Sequence, residues 1–190
     1  MTFHELQGLW YYFLCIEGDL NVTSRYIEPN GQEKVYSFEF YKIIVLSCTE
    51  IENSFKQICK NIDPEGSCNN IAEYKGTILK KYPKIVDTRV IVPRWNAKNI
   101  YPFKEWQDRG LSWWDAYTDL KHHRGSSFNK ATYKNAVYAL AALYVLILYL
   151  YKINSYDCKA DESTNFESDY YPVPRYNNKP SELPDFIAEI

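Results

Sequence analysis

Ala136-Val-Tyr-Ala-Leu-Ala-Ala-Leu-Tyr-Val-Leu-Ile-Leu-Tyr-Leu-Tyr151 runs for 16 residues without a charge, and its reading decides the fold. A membrane span needs about 20 predominantly apolar residues. This run is shorter, and four of its residues are tyrosines. It reads as a buried core helix, apolar all round because other elements surround it. An anchor through 136–151 is the alternative. Asn129 is placed to cap this helix, which is predicted to run from Lys130 to about Ile153.

Just upstream lies Leu111-Ser-Trp-Trp-Asp-Ala-Tyr-Thr-Asp-Leu-Lys-His-His-Arg124, which holds two of the three histidines in the chain. Ser112-Trp-Trp-Asp115 has the form of a capping box with Asp in place of Glu, and Gly125-Ser-Ser marks the end. At about 100° per residue, Trp113, Ala116, Tyr117 and Leu120 share one face, and Arg124 extends it by one turn. Lys121 and His123 flank that face, while His122 points away. An unpaired charge at the end of an apolar stripe is costly. Glu50 and Glu52 are therefore the expected partners of the cluster, with Asp115 and Asp119 as local candidates.

Further out, the stripe Phe40, Ile44, Cys48, Ile51, Phe55 and Ile58 has a sustained helical period, predicting a helix from Ser37 to about Lys60. Glu52 and Lys56 add an i,i+4 pair in the favoured order. Trp10 to Ile27 is predicted to be a first helix, broken by Pro29-Asn-Gly31. Asp63-Pro-Glu-Gly66 has turn chemistry, and Ile71 to Tyr82 reads as a short helix ended by Pro83. Val86, Thr88, Val90 and Val92 alternate at the strand period. Pro93 and Pro102 flank an extended stretch beyond them. Ser155 onward is rich in Asp, Glu, Ser, Asn and Pro, the composition of a tail. The expected architecture is mainly α, a bundle of about five helices over residues 1–154. An extended or β insertion falls at 84–106, and a polar, proline-containing tail covers 155–190. The second helix should pack against the helices at 112–124 and 130–153.

Composition narrows the function classes. The chain has 46% hydrophobic and 24% charged residues, which is globular. A formal net charge of −2 excludes a global field for nucleic acid or anionic membrane, so such contacts need a local basic patch. Five cysteines form no CxxC and no zinc spacing with histidine. Seven scattered glycines make no phosphate loop, and neither HExxH nor GxSxG occurs. No cofactor and no metal is expected. Met1-Thr-Phe-His-Glu5 lacks a basic signal region, so a cytoplasmic location is expected.

The Lys121-His-His-Arg124 cluster admits two readings. As structure, basic residues in a last helical turn complement the helix dipole. As chemistry, a histidine can take or give a proton at a 2′-hydroxyl or a leaving oxygen, and Arg or Lys can hold the phosphate. A third reading takes Trp95 and Trp106, with Lys98, Lys104 and Arg109, as a platform for single-stranded bases.

One resemblance bears on this choice. A Tyr-rich first helix is followed by Arg25-Tyr-Ile-Glu-Pro29 and Cys48-Thr-Glu-Ile-Glu52. Trp114-x-Ala-Tyr-x-x-Leu-Lys-His-x-Arg124 then precedes a long alanine-containing helix. Over roughly residues 10–152 this order resembles HEPN-like proteins. The resemblance implies an all-helical, often dimeric domain of the toxin–antitoxin or phage-defence type, acting as a metal-independent ribonuclease. RNA, a second copy and an antitoxin-like protein are the partners it implies. The family's usual signature places Arg a few residues before His. Here Arg109 is 13 residues before His122, and Arg124 follows both histidines. Carry-over is limited to Lys121-His122-x-Arg124. His122 (or His123, by the helical wheel) is then the acid–base group, and Arg124 and Lys121 bind phosphate. Glu50, Glu52 and Tyr117 support them. The alternative is a non-catalytic interaction module in which the cluster is a salt-bridge network.

Overall fold

The computed structural model describes residues 1–96, 98–156 and 166–168. Among the described residues five α-helices form the fold: α1 (Phe3–Thr23), α2 (Phe38–Ile62), α3 (Ile71–Lys81), α4 (Ser112–Ser127) and α5 (Tyr133–Ile153). The chain is mainly α, as the periodicity predicts. The apolar run lies in α5, where every residue from Ala136 to Tyr151 is buried except the half-buried Tyr138. α5 packs chiefly on α2, with α1 and α4 on further sides. Its length and composition would suit a membrane crossing, yet the neighbouring helices cover its apolar surface.

Local chemistry sets the helix ends. α1 starts earlier than expected because Thr2 and Glu5 form a reciprocal capping box. Thr2 N donates to the Glu5 carboxylate at 2.7 Å, and Glu5 N donates to Thr2 Oγ at 3.3 Å. Ser37 caps α2 by accepting from Phe40 N at 3.2 Å. The whole stripe from Phe40 to Ile58 is buried. Asn70 caps α3. Asn129 does not cap α5: it lies in a 3-10 turn, Phe128–Lys130, and Thr132 accepts from Asn135 N instead. The box expected at Ser112-Trp-Trp-Asp115 does not form either. Leu111 takes the N-cap position with no side-chain bond, and Ser112 N donates to Glu105 Oε2 at 2.6 Å. A carboxylate seven residues upstream satisfies the orphan donor.

The insertion is partly as expected. Pro83–Asp87 winds into a 3-10 turn, so Val86 and Thr88 are not in a strand despite their alternation. Only β1 (Val90–Val92) extends from that run. It pairs antiparallel with β2 (Lys98–Ile100) on one side and β3 (Glu167–Ser168) on the other. Phe166, just before β3, is fully buried and stacks on Tyr144 with ring centroids 6.0 Å apart. Part of the stretch expected to be a tail therefore completes the sheet and the core. The remainder of the predicted tail lies outside the described residues.

Aromatic side chains fill much of the core. Phe55 is fully buried and sits 5.3–6.2 Å (between ring centroids) from Tyr74, Phe103, Trp106 and Trp114. It thereby ties α2 to α3, α4 and the 3-10 turn Lys104–Gln107.

Candidate functional site

The first half of α4 is anchored and the second half is not. Trp113, Trp114, Ala116, Tyr117 and Leu120 are buried, and Trp113 Nε1 donates to Pro102 O at 2.8 Å. After Leu120 the helix leaves the core, and residues 121–126 are all exposed. The helix also breaks regularity there. His123 has φ −135° and ψ 39°, outside the helical region, so the last turn is kinked. A regular helical wheel no longer applies from this residue on. The choice between an inward His123 and an outward His122 lapses, because both rings reach solvent, 6.4 Å apart.

Lys121 and Arg124 of the cluster contact rings. Lys121 Nζ lies 5.6 Å from the centroid of the Tyr117 ring, one turn back. The Arg124 guanidinium carbon lies 5.6 Å from the centroid of the Tyr41 ring on α2. These are cation–π distances. Among the described residues, none of Lys121, His122, His123 and Arg124 takes part in an ion pair.

The expected pairing with Glu50 and Glu52 does not occur. Glu52 pairs with Lys56 at 2.9 Å. Glu50 lines a cleft of about 300 Å³ between α1 and α2, with Met1, Glu5, Leu9 and Tyr12 among its neighbours. The reason is helix register. α2 and α4 run antiparallel, so Trp114 meets Phe55 and Arg124 meets Tyr41. Glu50 projects toward α1 instead. Asp115 is exposed in the first turn of α4. Asp119 lies close enough to feel the charge of His123, and it is committed to Lys130. That hydrogen bond, more than the nearby charges of Lys130 and His123, holds the Asp119 carboxyl below its ordinary value.

Two features were not read from the sequence. Tyr41 falls off the buried stripe of α2 and becomes the platform for Arg124. Beside it, three rings gather at the surface. Phe128 lies edge-on to Tyr36 at 5.7 Å and 4.6 Å from Phe38, and Phe38 is 72% exposed. An apolar residue at the first position of α2, outside the helical stripe, was the available signal.

The third reading fails on burial. Trp95 and Trp106 are core residues, at 2% and 1% exposure, and cannot stack on a nucleic-acid base. Lys104 is paired with Asp87 and Arg109 with Glu105. Among the described residues, no three His, Cys, Asp or Glu side chains gather as a metal site.

The chain matches no known family model, no curated protein and no solved structure.

Proposed function

We propose that this chain is a HEPN-like, metal-independent endoribonuclease of the toxin–antitoxin or phage-defence type, acting in the cytoplasm. The observation that carries the reading is the end of α4. Two histidines, an arginine and a lysine stand exposed on consecutive residues, none of them in an ion pair among the described residues, and the nearby Asp119 is bonded to Lys130. A structural salt-bridge network would have consumed these charges.

The chemistry needs little else. One histidine takes the proton from a ribose 2′-hydroxyl, and the 2′-oxygen forms a bond to the adjacent phosphorus. The bond from phosphorus to the 5′-oxygen breaks, and that oxygen receives a proton from the second histidine. The products are a 2′,3′-cyclic phosphate and a 5′-hydroxyl. Arg124 and Lys121 hold the non-bridging oxygens as charge builds on them. The kink at His123, with both histidines exposed and their rings 6.4 Å apart, supports a shared role. The wild-type protein should cleave a mixed tRNA pool in EDTA, with the cyclic phosphate detected at the new end. His122→Ala, His123→Ala and Arg124→Ala should each lose that cleavage while staying folded by circular dichroism. Absence of wild-type cleavage would refute the reading.

A second reading, a non-catalytic interaction module, draws on the exposed rings of Tyr36, Phe38 and Phe128 beside the cluster. Aromatic and arginine side chains are favoured contact residues for protein partners. In that reading Phe38→Ala weakens association with a partner or a second copy, and no RNA is cleaved.

A further inference from the structure

A broad cleft lies away from the histidines. It has a volume of about 1040 Å³ and is walled by residues 31–36, by Lys98 of β2 and by the first turns of α5. The loop is fixed against α5 by the main chain. Tyr133 N donates to Val35 O at 2.8 Å, Lys134 N to Glu33 O at 3.1 Å, and Ser37 N to Ala131 O at 3.2 Å. The first two of these bonds, with the Thr132 side chain accepting from Asn135 N, satisfy the first-turn donors of α5. The start of α5 therefore offers an anion no free first-turn N–H, and the charge that could hold one comes from side chains.

The side chains are suited to that. Lys34, Lys98 and Lys134 are exposed along the walls, against one carboxylate, Glu33. Glu33 is half-buried and already engaged. It accepts from Trp95 Nε1 at 3.3 Å and stands 4.0 Å from Lys98 Nζ. Lys34 and Lys134 have no ion-pair partner among the described residues. Two rings accompany the lysines: Tyr36, 53% exposed, and the half-buried Tyr138. Lysines are effective point-charge binders of phosphate. A tyrosine face stacks on any nucleobase. Excess positive charge with two tyrosines is unexpected on a chain of net charge −2.

From these side chains we infer that the cleft between loop 31–36, β2 and the start of α5 binds the phosphate and base of a nucleotide. The ligand is either a free nucleotide or one unit of a strand. Tyr36 gives the strand a route onward, since its ring meets Phe128, which neighbours Phe38 on the way to the Arg124 end of α4. The inference goes beyond the nuclease reading and does not require cleavage.

The test uses the full chain and probes that cannot be cut by 2′-hydroxyl chemistry. ATP, inorganic phosphate and a fluorescently labelled oligodeoxyuridylate are titrated into wild type, Lys34→Ala/Lys134→Ala, Lys34→Arg/Lys134→Arg and Tyr36→Ala. Saturable binding of ATP or the oligonucleotide is expected. The double alanine variant should weaken it about tenfold or more, and the arginine pair should retain it. Tyr36→Ala should weaken it while inorganic phosphate binding stays unchanged. Binding of ATP alone identifies a free nucleotide. Tighter oligonucleotide binding, with a salt dependence that becomes shallower in the double alanine variant, identifies a strand. No saturable binding of either nucleotide probe, or binding that the double alanine variant leaves unchanged, would overturn the inference. Binding without RNA cleavage would leave it standing while the nuclease reading fell.

Discussion

Glu105 should be the residue on which the start of α4 depends. Its Oε2 accepts from Ser112 N at 2.6 Å, and its Oε1 accepts from Arg109 Nη2 at 2.5 Å. The Glu105 side chain is 26% exposed, whereas Arg109 is 71% exposed, so most of the value lies in the helix-capping bond. A hydrogen bond to a charged group contributes about 1.5–3 kcal/mol net, and an N-cap contact about 0.5–2. Glu105→Ala should therefore cost about 2 kcal/mol, and Glu105→Gln about half of that, since the amide oxygen can still accept. For a chain of this length, about 2 kcal/mol lowers the melting temperature by about 4–8 °C. Urea titration followed by tryptophan fluorescence suits the site, because Trp106, Trp113 and Trp114 surround it. Burial pushes the Glu105 carboxyl up, but the Ser112 main-chain N–H, the Ser112 hydroxyl and Arg109 outweigh it and hold the group below its ordinary value. A carboxyl with a lowered folded pKa stabilises above its unfolded pKa and loses that contribution as pH falls through the folded value. The gap between wild type and Glu105→Gln should thus be full near neutrality and shrink below about pH 4.3. Asp115→Asn tests the rival cap. If it destabilises more than Glu105→Ala, the local capping box operates and the assignment to Glu105 is wrong.

Phe55→Ala should cost about 3–5 kcal/mol, because Tyr74, Phe103, Trp106 and Trp114 are held by a core built on other elements and cannot all collapse into the space. A loss under about 1.5 kcal/mol by chemical denaturation would mean that this hub repacks freely. Thiol reactivity should divide by environment. Burial, then a hydrogen bond with Cys68, pushes the Cys59 thiol up to about 12, and burial raises Cys48 well above its ordinary value, whereas Cys15 is exposed. Alkylation at about pH 8 with peptide mapping should label Cys15 first, and Cys48 and Cys59 only after denaturation. Rapid labelling of Cys59 in the folded protein would contradict the packing of α2 on α3.

The sequence by itself determined the helices. The period of Phe40 to Ile58 and the uncharged run Ala136–Tyr151 each carry their own geometry, because side-chain spacing along one helix is a local property. Ser37 and Pro83 likewise set boundaries within a few residues of themselves. Partnership between elements was decided only in three dimensions. Glu50 and Glu52 were reasonable partners for Arg124 by charge, but the antiparallel register of α2 and α4 brings Tyr41 there instead. Glu105 replaced Ser112 as the cap because a 3-10 turn carries it back onto the helix start. The strand period at Val86 and Thr88 yielded to the turn that begins at Pro83, while Phe166 joined the core from a polar context. The position of Lys121-His122-His123-Arg124 at a helix end was legible from the residues. Its exposure, its kink and the lysine-lined cleft beyond it were not, because each depends on where the neighbouring helices stop covering the chain.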